Sequence, residues 1–196
     1  MLSQILAGLV GYLLGSFPTA YFLVKWKTNI DIRNAGSGNV GTLNSFEVTN
    51  SKFVGITVLL ADLLKGVLAV LVVKWVAGDG FANVAIGGVA AVVGHNFPLW
   101  LGFKGGRGLA TAAGVMLVLA WIFVPIWMAV WYIGKKLSGD VNVGNAIATA
   151  AILIVGLFAP LQLLGTLIPG SALADDFRFF IVGLVTVIFV RLVDPL

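Results

Sequence analysis

Cysteine is absent from the sequence, histidine occurs once, and charged side chains make up only 10% of its 196 residues. The missing cysteine removes disulfides, thiolate metal ligands and cysteine nucleophiles together. A single imidazole, His95, excludes a metal site built on a histidine pair. So little charge, against roughly 25% in soluble domains, excludes a soluble globule. The first apolar stretch has no basic residues ahead of it and is followed by further apolar stretches, so it reads as a retained span and not a cleaved signal peptide. With no internal repeat, charge run or low-complexity linker, residues 1–196 read as one integral membrane domain. The net charge of +4 comes from scattered basic residues beside apolar segments. That placement suits membrane topology and anionic lipid headgroups, and no nucleic-acid partner is expected.

What is present is apolar: 60% of the residues are hydrophobic and the mean hydropathy is +1.06. The fold class expected is all-α, a polytopic membrane helix bundle. A span needs about 20 apolar residues to cross about 30 Å of hydrocarbon, which places spans near 3–24, 54–77, 82–101, 109–134, 143–161 and 176–193. The 109–134 stretch contains Pro125 and is either one kinked span or two short helices turning near Phe123 to Pro125. Two helices are favoured by the charge distribution. With the N-terminus outside, that reading gathers Lys25, Lys27, Arg33, Lys52, Lys104, Arg107, Lys135, Lys136 and Arg191 on the cytoplasmic side and leaves Lys74 and Arg178 outside. Without the turn, Lys135, Lys136 and Arg191 would move outside. The expectation is therefore about seven transmembrane helices, with the N-terminus outside and the C-terminus cytoplasmic. Small residues inside spans, such as Gly87, Gly88, Ala90 and Ala91, read as helix-packing positions. Trp75 and Trp100 read as an interfacial aromatic belt.

Two polar, glycine-rich stretches interrupt this apolar chain, and function is expected there. The first sets Ser37, Asn39, Thr42 and Asn44 among Gly36, Gly38 and Gly41, with Asp31 and Arg33 upstream. Such glycines permit turns in which successive N–H groups converge on an anion, although a polar turn joining two spans has the same composition. The second runs from Gly94, His95, Asn96, Phe97 and Pro98 to Phe103, Lys104, Gly105, Gly106, Arg107, Gly108 and Thr111. Its glycines let backbone approach a phosphate, Lys104 supplies a point charge and Arg107 a two-pronged donor. Positive-inside anchoring would explain the charge but not the glycines. His95 is open to two readings, general base or hydrogen-bonded packing residue.

Asp62 and Lys65 lie three apart within a predicted span and share a helix face. An ionisable pair is costly in a membrane, so it is expected to face the bundle interior or a wet cleft, either locking packing or supporting the site.

Several segments resemble the bacterial membrane glycerol-3-phosphate acyltransferases that use acyl phosphate, the PlsY family. They are Leu14-Gly15-Ser16, Arg33-Asn34 leading into Gly36 to Gly41, Asn44, Asp62 to Gly66, Gly94-His95 with Pro98, and Phe103 to Thr111. The resemblance implies transfer of a fatty acyl group from acyl phosphate to the 1-hydroxyl of glycerol 3-phosphate, giving lysophosphatidate and phosphate in phospholipid synthesis. It also implies a multi-pass protein of the bacterial inner membrane with its active-site loops cytoplasmic, and neither a cofactor nor a metal. An acyl phosphate is already activated, so the protein needs chiefly to position two phosphorylated substrates and offset developing charge. On this reading Ser37, Lys104 and His95 are the catalytic candidates, with Ser37 a hydrogen-bonding residue and not a nucleophile. Arg33, Gly36, Gly38, Asn39, Gly41, Asn44, Gly105, Gly106, Arg107, Gly108 and Thr111 bind substrate phosphate, and Asp62 and Lys65 support them. The attacking hydroxyl passes its proton to a donor phosphate oxygen.

The chain departs from the family at three places. Glu47 stands where members usually carry an arginine. The serine-containing third motif is matched poorly by Asp140 to Asn145. An Arg-His-x-Asn segment near the C-terminus is reduced to Arg191, Leu192, Val193 and Asp194, and the chain stops at Leu196. These departures keep a non-catalytic relative in view. A transporter or channel for a phosphorylated or anionic solute would use the same basic loops, but it would favour pseudo-symmetric halves or paired broken helices, and neither is evident.

Overall fold

A computed structural model describes residues 1–160, 162–164 and 174–193, and every regular element among them is helical. The helices are α1 (Leu2–Gly15), α2 (Thr19–Thr28), α3 (Thr42–Thr49), α4 (Lys52–Ala77), α5 (Phe81–Asn96), α6 (Leu109–Leu119), α7 (Phe123–Ser138), α8 (Val141–Phe158) and α9 (Ala174–Val193). Short 3₁₀ turns lie at Ile32–Asn34 and Leu99–Leu101. Residue 161, at the end of the expected 143–161 span, and Asp194 to Leu196 lie outside the described residues.

The expected 3–24 span is not one helix. Pro18 has no N–H to continue the hydrogen-bond ladder, so α1 stops at Gly15 and α2 restarts at Thr19. The break is held from outside, by Lys65 Nζ donating to the Phe17 carbonyl at 3.1 Å. The 109–134 stretch is likewise two helices, α6 and α7, as the charge distribution favoured. Their break falls at Ala120 to Ile122, and Pro125 sits harmlessly in the first turn of α7, where its missing N–H costs nothing. The expected 82–101 span leaves the α-helical path at Asn96. Side-chain caps fix two starts: Ser51 Oγ accepts from Val54 N, and the Asp140 carboxylate accepts from Asn142 N and Val143 N.

Small residues decide how the helices meet. Where α1 crosses α5, Gly11 lies on the backbone of Gly87, Gly15 on that of Ala91, and Gly94 on that of Tyr12; a Cβ at any of the three would overlap partner backbone. Gly66 and Gly114 bring α4 and α6 together in the same way, against Thr111 and Leu63. Close backbone approach of this kind is how helices associate where lipid removes the hydrophobic drive between them. Aromatic packing closes one end, with Phe123 and Phe177 ring centroids 5.4 Å apart and Phe81 and Phe180 6.0 Å apart. Leu2–Thr28, Lys52–Ala77, Phe81–Leu101 and Val141–Phe158 are long and apolar enough to cross a membrane.

The legs formed by α1 with α2, then α4, α5, α6, α7, α8 and α9, alternate in direction. Asn83 Nδ2 at the start of α5 donates to the Ala77 carbonyl at the end of α4, and Arg178 Nη2 near the start of α9 donates to the Ala159 carbonyl just beyond α8. At the opposite end, both glycine-rich loops meet the start of α8 and the end of α9.

Candidate active site

The first loop is organised around the buried carboxamide of Asn44, in the first turn of α3. Asn44 Nδ2 donates to the carbonyls of Ala35 and Asn39 at 3.0 Å and of Ile32 at 3.4 Å, while its Oδ1 accepts the Ser37 amide at 2.9 Å. Gly36 has φ +58°, and a Cβ there would strike Asn44 Oδ1, so glycine is required on both counts. Gly38 N donates to the Ala35 carbonyl. Gly41 precedes α3 with extended backbone and accepts from both the amide and the hydroxyl of Ser45. Asn44 is thus spent on the loop's own backbone. The Ser37 side chain is exposed, and Asn39 Oδ1 is buried without a partner among the described residues.

Arg33 joins this loop to the next. Its guanidinium contacts Asp31 at 2.6 Å and donates from Nη1 to the Leu101 carbonyl at 3.1 Å. The Arg33 hydrogen bond, opposed by partial burial, holds the Asp31 carboxyl below the usual carboxylate range, and the same contact raises the arginine further. A second tie is the Val40 amide donating to the Gly105 carbonyl at 3.4 Å.

The glycine run of the second loop lies against the end of α5. Gly105 N donates to the Asn96 carbonyl and Gly106 N to that of His95, each at 3.1 Å. Gly106 abuts the His95 ring, and a Cβ there would overlap Nε2. Gly108 precedes α6 with φ +77°, a left-handed conformation that glycine adopts without strain. No side chain caps α6. The amides of Arg107, Gly108, Leu109 and Ala110 therefore have no acceptor among the described residues. Around them, Asn96 Oδ1, Thr111 Oγ1 and Arg107 Nε are buried and likewise without partners there. A helix start with free, partly enclosed N–H groups is a ready anion site, because the amides and the helix dipole both favour negative charge.

Charge surrounds this helix start unevenly. Lys104 is exposed, with no ion pair or side-chain hydrogen bond among the described residues. Arg107 is partly buried and donates to Asn142 Oδ1 on α8. Its pKa is pulled down by burial and by repulsion from Arg191, with Asp140 opposing. Below the loops, Asp62 is buried between Lys65 Nζ at 2.8 Å and His95 Nδ1 at 3.6 Å. Lys65 also holds the α1–α2 break, so this cluster connects three helices beneath the glycine run. Among the described residues no group of carboxylates and histidine has the arrangement of a metal site.

The residues singled out in the sequence converge on one end of the bundle. Reading the sequence gave no site role to Asn96, Arg191 or Asn142, all of which touch the second loop. A carboxamide or guanidinium in an apolar helix is itself a signal, since such groups are costly in a membrane unless they serve a site. Of the departures, Glu47 is exposed on α3, and Leu192 is partly buried against the hydrophobic core.

A family model described as glycerol-3-phosphate acyltransferase matches residues 5–193. The chain belongs to the glycerol-3-phosphate acyltransferase family. The glycerol-3-phosphate acyltransferase of Sinorhizobium fredii is 41% identical over 150 residues, covering 76% of this chain and 71% of that protein. Glycerol-3-phosphate acyltransferase 2 of Moorella thermoacetica is 42% identical over 149 residues, covering 74% and 75%. The crystal structure of PlsY, an integral membrane glycerol 3-phosphate acyltransferase, in its glycerol 3-phosphate form superposes with a TM-score of 0.77 at 30% identity, covering 96% of this chain and 88% of that one. Its lysophosphatidic acid form gives 0.76 at 29% identity. The family, the all-helical fold and the integral membrane setting anticipated from the sequence are those found.

Proposed function

We propose that this glycerol-3-phosphate acyltransferase takes its acyl group from acyl phosphate and carries out the transfer at the joined glycine-rich loops. The observation that carries this reading is the uncapped, partly enclosed start of α6, led in by Gly105 to Gly108 and flanked by Arg107. Phosphate is the anion that such a site suits, and both substrates would carry one. The 1-hydroxyl of glycerol 3-phosphate attacks the acyl carbonyl, the carbon–oxygen bond to phosphate breaks, and the hydroxyl proton passes to an oxygen of the departing phosphate. Lysophosphatidate and inorganic phosphate result. No covalent enzyme intermediate is needed, because the donor is already activated.

Within this scheme Ser37, with its exposed hydroxyl, and Asn39 orient substrate phosphate. Lys104 and Arg107 neutralise it, and the α6 amides hold it as charge develops. Gly36, Gly38, Gly41 and Asn44 set the path of the first loop, and Arg33 fixes that path to the second. Asp62 and Lys65 support the glycine run through His95, whose burial against Gly106 suits a positioning role better than that of a base. The alternating legs give seven membrane crossings, with the N-terminus outside. The cationic end, which carries Lys25, Lys27, Arg33, Lys52, Lys104, Arg107, Lys135, Lys136 and Arg191, faces the cytoplasm of a bacterial inner membrane.

The test is inorganic phosphate release by purified protein given palmitoyl phosphate with and without glycerol 3-phosphate, for wild type, Ser37→Ala and Lys104→Ala. Release that depends on the acceptor and falls in both variants supports the scheme. Absence of release from folded wild-type protein defeats acyl phosphate as the donor.

A further inference from the structure

Arg191 lies near the end of α9 and is only 5% exposed. Its guanidinium donates from Nη2 to the Gly105 carbonyl at 3.1 Å and from Nε to the Gly106 carbonyl at 3.4 Å, and its carbon sits 5.5 Å from the Phe97 ring centroid. One turn earlier, the Val187 carbonyl accepts from Asn96 Nδ2 at 3.0 Å, so the end of α5 is fastened to the same helix.

We infer that Arg191 is a positioning residue for the phosphate site, acting by fixing which way two peptide units face. This rests on the reading of the α6 start as that site. In a trans peptide the carbonyl and the following N–H point in opposite directions. With the Gly105 carbonyl turned toward Arg191 and Val40, the Gly106 N–H must face the other way, where it meets the His95 carbonyl. With the Gly106 carbonyl turned toward Arg191, the Arg107 N–H faces away from α9 and joins the unpaired amides at the start of α6. A Gly-Gly sequence has little intrinsic preference between these peptide orientations, because neither residue carries a Cβ. Released, the same units can rotate and present carbonyl oxygens where the anion binds. Arg191 holds the two carbonyls with a planar fork that a lysine ammonium does not reproduce.

The experiment compares wild type, Arg191→Lys and Arg191→Gln as full-length protein in detergent. It measures KM and kcat for acyl phosphate and glycerol 3-phosphate, the inhibition constant of inorganic phosphate, and the thermal midpoint with and without phosphate. Both variants should weaken phosphate inhibition and raise KM for at least one substrate by about tenfold, while Arg191→Lys keeps a phosphate-free midpoint close to wild type. Wild-type KM and phosphate inhibition in either variant would overturn the assignment, as would an Arg191→Lys chain that fails to fold. If wild type itself releases no phosphate from acyl phosphate, the proposed donor fails, but the shift of midpoint with inorganic phosphate still decides Arg191. Equal phosphate shifts in wild type and Arg191→Lys would defeat it.

Discussion

The amide of Val40 donates to the carbonyl of Gly105 at 3.4 Å, joining the two glycine-rich loops backbone to backbone. A Cβ on the neighbouring Gly106 would overlap both the Val40 carbonyl oxygen and His95 Nε2. Any side chain at 106 therefore drives the loops apart.

Gly106→Ala should accordingly lower kcat/KM by about 10²-fold or more, the scale on which a misplacement of about 1 Å acts on catalysis. Phosphate release by the folded variant is the measurement, and activity within threefold of wild type would refute the claim that the two loops form one site.

Asn44→Asp should be worse than Asn44→Ala. Alanine removes the hydrogen bonds of a buried carboxamide, a loss of about 2–4 kcal/mol. Aspartate keeps the size but turns the donor into an oxygen facing the carbonyls of Ile32, Ala35 and Asn39. Thermal midpoints in detergent near pH 7 should fall in the order wild type, Asn44→Ala, Asn44→Asp.

Lys104→Ala should separate activity from stability. The side chain is exposed and makes no contact that holds the fold. Its loss should leave the thermal midpoint within about 1 °C while activity falls about tenfold or more, since surface changes away from structural features alter stability little. A lowered midpoint with unchanged turnover would contradict the role assigned to it.

Asp31 gives a pH dependence whose sign is fixed. Its carboxyl titrates below the ordinary value of 3.8 because Arg33 binds the ionised form. The folded chain therefore holds this proton less readily than the unfolded chain. The stabilisation is complete above that ordinary value and is lost as pH falls through the lower, folded one. The midpoint difference between wild type and Asp31→Asn should be constant from about pH 8 to 5 and shrink below about pH 4.

Hydropathy and charge sufficed to place the helices and to divide α6 from α7, because apolar length and basic flanks are written locally along the chain. The break at Pro18 was legible in principle from the imino acid, yet what holds it open is Lys65, distant in sequence. The short helix α3 lay hidden in a stretch whose composition suits a turn equally well. Asn44 shows the limit for the site. Its residue type suggested a phosphate ligand, whereas its position turns both polar atoms onto loop backbone. Arg191 and Asn96 act on the second loop through tertiary contacts between helices, and no spacing along the chain encodes those.

The seam between α1 and α5 has no side chain to yield at Gly11, Gly15 or Gly94, so the two helices meet as interlocked surfaces and neither can slide along the other. A pull on the N-terminus would thus be carried along α1 to Gly94, one residue from His95. Mechanically, the far end of the bundle and the glycine run behave as the two ends of one stiff rod.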